Sequence, residues 1–135
     1  MSKQGGQAME TTFCREGKSL SYAELTQMLG NMIEKNILGE LDQEALEKFY
    51  LRLFETTYAK IRDYLELKNY KVVNYRQGLL TASQVKLITK PEVWYEALER
   101  KNLIDQGKTT DHLRRFIIDT YYEEMRVLLS VLGEK

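Results

Sequence analysis

Residues 42–69, DQEALEKFYLRLFETTYAKIRDYLELKN, contain the most regular apolar pattern in the chain. Apolar side chains recur there every three or four residues, a spacing that places them on one face of an α-helix. These positions are Leu46, Phe49, Tyr50, Leu53, Phe54, Tyr58, Ile61 and Leu65. The stretch predicts a long helix that begins after Asp42, which can cap its free N–H groups, and ends near Asn69.

A shorter helix is predicted before this one. Ser21 can cap its first turn while Glu24 reaches back to the backbone of Ser21, the reciprocal arrangement known as a capping box. Helical spacing then continues through Leu25, Met28, Leu29, Met32 and Ile33. The segment NILGEL separates the two helices.

Three more helices are predicted after residue 69. Asn74 can cap a short helix over residues 75–86, and Pro91 suits the first turn of the next one, because proline lacks an N–H that would have no partner there. The last helix is expected to begin near Thr110 and Asp111 and to end at Gly133. Val72 and Val73 would suit a strand, but the sequence offers no second strand to pair with them. The pattern predicts an all-α, up-and-down antiparallel bundle of four to five helices.

The totals fit one domain in a reducing environment. The chain has 135 residues, with 20 Lys and Arg balanced by 20 Asp and Glu, so net charge provides no general attraction to nucleic acid or to a membrane. Residues 1–20 are expected to form a disordered tail without the apolar core of a signal peptide, and residues 21–135 to form the bundle. The single cysteine, Cys14, excludes an intrachain disulfide, and we expect a cytoplasmic protein.

Two stretches resemble a known family. FYLRLFETTYAKIRDYLELKNY, residues 49–70, is similar to an aromatic-rich family helix that ends in a DYL turn. The spacing from Arg76 through Leu87 and Ile88 to Trp94 is similar too, and WYEALERKNL, residues 94–103, resembles the family signature W…LE.RN. Over residues 25–132 the chain therefore resembles the nucleotidyltransferase substrate-binding proteins of the HEPN superfamily.

The resemblance implies a helical bundle that forms a homodimer and acts beside a separate nucleotidyltransferase chain. Some members of the superfamily are toxins of toxin–antitoxin pairs that cut RNA. Their motif is Arg, a polar residue that is commonly Asn, a short spacer and His, often followed two residues later by a Tyr that accepts AMP.

The chain departs from this motif at three positions. Lys101 stands in place of the family Arg, Gln106 in place of His and Lys108 in place of Tyr, while Asn102 is kept. Histidine can transfer protons near neutral pH but glutamine cannot, and lysine lacks the two-pronged guanidinium group that grips phosphate. We therefore expect no catalytic residue at this junction.

The junction still carries polar side chains that can hold a ligand. Arg100, Lys101, Asn102, Gln106 and Lys108 are the predicted ligand-binding residues, with a nucleotide as the expected ligand. The alternative is an ordinary solvated loop after the fourth helix. Glutamine can accept and donate hydrogen bonds, so it can hold a ligand without processing it.

Other residues allow two interpretations each. His112 is either a displaced catalytic base or an exposed residue at the start of the last helix. Trp94, Tyr121 and Tyr122 can stack on a base, but an aromatic pattern at helical spacing usually belongs to a core or an interface. Arg114 and Arg115 can bind phosphate together with Lys108. Glu123 and Glu124 follow them in the sequence, however, which favours a solvated face of mixed charge.

Three functions follow from these observations. The first is a non-catalytic binding module that partners a nucleotidyltransferase and holds or docks its substrate. The second is a HEPN-type ribonuclease that uses His112, and the third is a protein–protein adaptor without a small ligand. One His and one Cys provide no metal-binding motif, so neither a metal nor a cofactor is expected, and membrane and nucleic-acid partners are not expected either.

Overall fold

The computed structural model describes residues 14–15, 18–19, 21–108 and 110–133, and it shows an all-α bundle. The α-helices are α1 (Tyr22–Glu34), α2 (Gln43–Leu67), α3 (Tyr75–Gln84), α4 (Pro91–Asp105), α5 (Leu113–Phe116) and α6 (Tyr122–Leu132). A 3-10 turn, Leu38–Glu40, precedes α2. A π-helix, Ile117–Tyr121, joins α5 to α6, so these three stretches form one continuous last helix.

Little of the predicted N-terminal tail is described. Strands β1 (Cys14–Arg15) and β2 (Lys18–Ser19) pair antiparallel, with Cys14 opposite Ser19 and Arg15 opposite Lys18. The rest of residues 1–20 lies outside the described residues. The predicted disorder of this tail therefore concerns residues that the structure does not describe. Among the described helices, none is both long enough and apolar enough to cross a membrane.

The predicted starts of the first four helices are confirmed. Ser21 Oγ accepts a hydrogen bond from the Glu24 N–H at 3.1 Å, and Glu24 Oε1 accepts one from the Ser21 N–H at 3.0 Å. Asp42 and Asn74 cap α2 and α3 through their side-chain oxygens, and Pro91 is the first residue of α4. Local side-chain chemistry therefore determines where these helices begin.

Helix ends fall slightly earlier than the apolar pattern predicts. Helix α2 ends at Leu67 rather than near Asn69, and α3 ends at Gln84 rather than at Lys86. Asn69 and Lys86 have φ angles of 72° and 69°. A residue in this left-handed conformation cannot continue a right-handed helix. The last helix likewise starts at Leu113 rather than near Thr110, because His112 has a φ of 60°.

The core is built on the apolar face of α2. All eight apolar positions that the sequence assigns to that face are buried. Tyr50 lies at the middle of the face: its ring contacts Phe54, Phe116 and Tyr121, and its hydroxyl donates a 2.6 Å hydrogen bond to the carbonyl of Ala97. One side chain thus connects α2 with α4 and with the last helix.

Helix α3 packs closely against α2 because it carries a glycine at the contact. A Cβ atom at Gly78 would lie 2.3 Å from the Tyr58 hydroxyl, well inside the closest approach that real contacts allow. The same hydroxyl donates a hydrogen bond to the carbonyl of Asn74, the residue that caps α3, at 2.9 Å. Gly78 and Tyr58 therefore fix the position of α3 on the bundle.

Gly78→Ala is expected to destabilise the fold by roughly 1–2 kcal/mol, because the close contact outweighs the gain of about 1 kcal/mol in helix propensity. The measurement is the free energy of unfolding from urea titration followed by circular dichroism. Adding Tyr58→Phe to this variant should recover part of the loss, since the phenyl ring lacks the clashing oxygen.

Ser130→Ala is the matched control, because Ser130 is an exposed position in α6. It should leave stability unchanged or raise it slightly. A Gly78→Ala variant as stable as this control would show that α3 has room to move away from α2.

Candidate functional site

The polar junction after α4 is a helix C-terminus with ordinary capping geometry. Gly107 has a φ of 77°, its N–H donates to the carbonyl of Ile104 at 2.9 Å, and the Lys108 N–H donates to the carbonyl of Leu103 at 2.8 Å. These two bonds form a Schellman motif, which satisfies carbonyls that a helix end leaves free. The turn explains Gly107, because glycine adopts this positive φ without strain.

Arg100 is engaged within the fold. Its guanidinium donates to Glu96 Oε2 at 2.8 Å and to the backbone carbonyl of Asp111 at 2.7 Å, and it lies 4.5 Å from the centre of the Phe116 ring. Only 17% of the side chain is exposed. Arg100 therefore ties the end of α4 to the start of the last helix.

Lys101 is engaged on another set of partners. Its side chain is 8% exposed, pairs with Asp105, and lies 3.6 Å from Glu55 Oε2 on α2. The ammonium also lies 4.7 Å from the ring centre of Tyr75, the first residue of α3. We call Glu55, Tyr75, Lys101 and Asp105 the Lys101 cluster.

The charges of the Lys101 cluster favour the cation and disfavour an added anion. Burial alone lowers the pKa of Lys101, but the hydrogen bond to Asp105 and the charges of its neighbours outweigh it, so the pKa lies above its ordinary value. Burial and a hydrogen bond to Glu55 raise the pKa of Tyr75, whose hydroxyl lies 3.0 Å from both Glu55 oxygens. Two carboxylates surround one ammonium, so the cluster carries a net negative charge that repels phosphate.

Asn102, Gln106 and Lys108 are exposed. Within the described part of the chain, their side chains make no hydrogen bond or ion pair. Asn102 and Gln106 are four residues apart, and Gln106 is the capping residue of α4, so they lie near one another on its outer face. These three side chains remain accessible to a ligand or a partner.

The five predicted ligand-binding residues divide into two groups, the two engaged cations Arg100 and Lys101 and three exposed side chains. Arg100 and Lys101 have no partner in common, because successive residues of a helix point about 100° apart. Sequence reasoning missed Glu55 and Tyr75, which lie 46 and 26 positions before Lys101. No local motif links positions so far apart in the chain.

His112 does not line the same part of the surface as the Lys101 cluster. It is exposed, immediately precedes the last helix, and lines an open groove of about 530 Å³ with Gln43, Arg114, Arg115 and other residues. None of the residues that line this groove belongs to the Lys101 cluster. The position confirms that His112 is an exposed residue at the start of the last helix.

Of the two arginines in the predicted basic cluster, Arg114 and Arg115, only Arg115 is available to bind a phosphate group. Arg114 donates to the backbone carbonyls of Leu38 and Leu41 at 2.8 and 2.7 Å, so it closes the turn before α2. Arg115 lies 3.8 Å from Asp119 and is exposed. The groove beside His112 thus offers one surface arginine that already has a carboxylate neighbour.

Glu124 was wrongly expected on a solvated face. The residue is 5% exposed, and its Oε1 accepts a 3.2 Å hydrogen bond from the Trp94 indole N–H. Burial raises the pKa of Glu124, although the bond from Trp94 opposes this shift. The sequence did carry a signal, because Glu124 is three residues after Tyr121 and four before Leu128, both on the apolar face.

The aromatic residues considered for base stacking belong mostly to the core. Trp94 and Tyr121 are buried against each other, with ring centres 5.6 Å apart, and Tyr122 is half-buried. In the described residues, no three His, Cys, Asp or Glu side chains are grouped so that they could hold a metal ion. Neither the protein-family models nor the curated proteins contain a match to this chain.

Glu124→Gln is expected to raise the free energy of unfolding at neutral pH. The folded-state pKa of Glu124 is raised, so the folded protein holds this proton more tightly than the unfolded chain does. Stability therefore falls as pH rises from the unfolded pKa through the folded pKa, because the buried carboxylate must then ionise. The amide avoids this cost and can still accept the bond from Trp94.

The measurement is urea unfolding of wild type and variant between about pH 4 and pH 8, which spans the ordinary glutamate pKa. The difference should shrink toward zero at the acid end. Glu123→Gln is the control, since Glu123 is exposed in a surface ion pair with Arg126 and should change stability little at any pH. If Glu124→Gln is less stable than wild type at neutral pH, the carboxylate is stabilising and the expectation is wrong.

Proposed function

We propose that this chain is a non-catalytic helical-bundle binding protein that partners a separate nucleotidyltransferase and holds or docks its substrate. The observation that carries the proposal is the state of the two cations at the junction. Arg100 and Lys101 are both held by carboxylates of the fold, and the neighbouring position that would need a proton-transferring group carries Gln106. Such an arrangement favours binding of a partner or ligand without general acid–base catalysis.

Two roles are possible for this surface, docking of the nucleotidyltransferase and tight binding of a phosphate group. The first is better supported. The carboxylates around Lys101 oppose an incoming anion, whereas Asn102, Gln106 and Lys108 form an exposed polar surface at the end of α4. Amide side chains of this kind can hydrogen-bond to a protein surface or to a nucleotide base. The homodimer and the nucleotide ligand that the family resemblance implies are part of the same proposal.

The proposal predicts that the protein, tagged and expressed at native abundance in its own cells, co-purifies with a nucleotidyltransferase. Mass spectrometry should identify the enzyme in the complex, and the intact mass of this chain should carry no AMP-sized adduct, because Lys108 occupies the position of the acceptor tyrosine. Replacing Asn102 and Gln106 by Glu should lower recovery of the enzyme without unfolding the chain.

The matched control replaces Gln27 and Asn31 by Glu, because these exposed amides are four residues apart on α1, as Asn102 and Gln106 are on α4. Recovery should then equal that of wild type. If no nucleotidyltransferase is recovered, the partner proposal is wrong. An AMP adduct on this chain would contradict the claim that it is a passive binding protein.

A further inference from the structure

The charges of the chain are segregated along the sequence. Residues 67–91, which we call the acid-free segment, contain no Asp or Glu, although Glu66 and Glu92 flank them. The segment carries five cations: Lys68, Lys71, Arg76, Lys86 and Lys90. The remaining residues carry 15 Lys and Arg against 20 Asp and Glu, a net charge of −5. The overall neutrality of the chain therefore hides a segment with a charge of +5.

All five cations of the acid-free segment are exposed, and none of them forms an ion pair with another described residue. Cations elsewhere in the described chain are commonly paired with a nearby carboxylate, as Lys48 is with Glu44 and Arg126 with Glu123. Lys68 and Arg76 instead lie over tyrosine rings, which attract the cation but carry no net negative charge. The positive charge of the segment is thus available to an outside partner.

Exposed apolar side chains lie in the same segment. Leu67, Val73, Leu80 and Tyr70 are 80%, 61%, 47% and 44% exposed, and they are four of the six large hydrophobic residues that are exposed in the described chain. Arg76 and Leu80 are exposed and four residues apart on α3, so they are neighbours on its surface, and Val73 is exposed just before the helix. An aliphatic and a cationic side chain therefore lie side by side on one outward face of α3.

This outward face is held in place by the packing beneath it. The close contact between Gly78 and Tyr58, and the hydrogen bond from Tyr58 to Asn74, fix α3 on α2. Arg76 packs over the ring of Tyr95 on α4, 5.0 Å from its centre. A surface fixed in this way loses little conformational freedom on binding, which favours association.

We propose that the acid-free segment is a docking surface for an acidic segment of a partner protein whose carboxylates flank aliphatic side chains. The partner's carboxylates would form ion pairs with the unpaired cations, and its aliphatic side chains would pack on Val73 and Leu80. The inference does not depend on the partner being a nucleotidyltransferase.

Two other occupants fit the surface less well. Single-stranded RNA gains its affinity from stacking on aromatic side chains, but three of the four exposed apolar residues here are aliphatic. A membrane surface favours an amphipathic helix with several apolar side chains on one face. In α3 only Leu80 is a large hydrophobic residue with high exposure.

The test is a binding titration with a synthetic amphipathic peptide of about twenty residues, built from Glu and Leu at helical spacing. Labelled peptide is titrated with the full chain, followed by fluorescence anisotropy, at low and at high salt. We expect binding that salt weakens, and amide chemical-shift changes concentrated in residues 67–91. The double variant Arg76→Glu with Leu80→Asp should bind at least about tenfold more weakly.

The matched control is Lys48→Glu with Val131→Asp, which changes one exposed cation and one exposed aliphatic residue outside the segment. Circular dichroism should first show that both variants are folded. Equal loss of binding in the two double variants, or no binding by wild type, overturns the proposal. Binding of oligouridine RNA or of phosphatidylserine-containing vesicles in place of the peptide overturns it in favour of that class of partner.

Discussion

Burial of Tyr50 is the interaction on which the rest of the structure depends. Its ring lies among aromatic side chains of α2 and the last helix, and its hydroxyl satisfies a backbone carbonyl of α4. Burial raises the pKa of this hydroxyl well above its ordinary value, so it stays a hydrogen-bond donor at any physiological pH. A buried polar group without its partner costs about 1–3 kcal/mol, so this bond holds α4 in register on α2. The positions of Arg100 and Lys101 on α4 follow from it.

Much of the fold could be predicted from the sequence because it depends on local chemistry. The apolar period of α2 and the caps at Ser21, Asp42 and Asn74 act over three or four residues, so they can be read directly. Helix boundaries were less certain, because Lys86 and His112 adopt left-handed conformations, which are uncommon for residues other than glycine. Those conformations are imposed by the turns around them.

The candidate site was harder to predict, because its neighbours come from distant parts of the chain. The sequence placed Lys101 in a polar junction but did not show that Glu55 and Tyr75 would enclose it. It also placed Glu124 on the surface, although the apolar period around it already indicated burial. A net charge of zero likewise concealed the separation between the acid-free segment and the acidic remainder of the chain.

In this bundle the charged residues of the polar junction stabilise the packing of α4, and they are not arranged for catalysis. Arg100 and Lys101 lock α4 to its neighbours, and the only histidine lies in a separate groove. The most direct test of this account is RNA cleavage by the purified full chain at high concentration in EDTA. Because Gln106 cannot transfer a proton, we expect no cleavage above that of buffer. Cleavage that is lost in His112→Asn, a variant that tolerates the left-handed conformation, would contradict it.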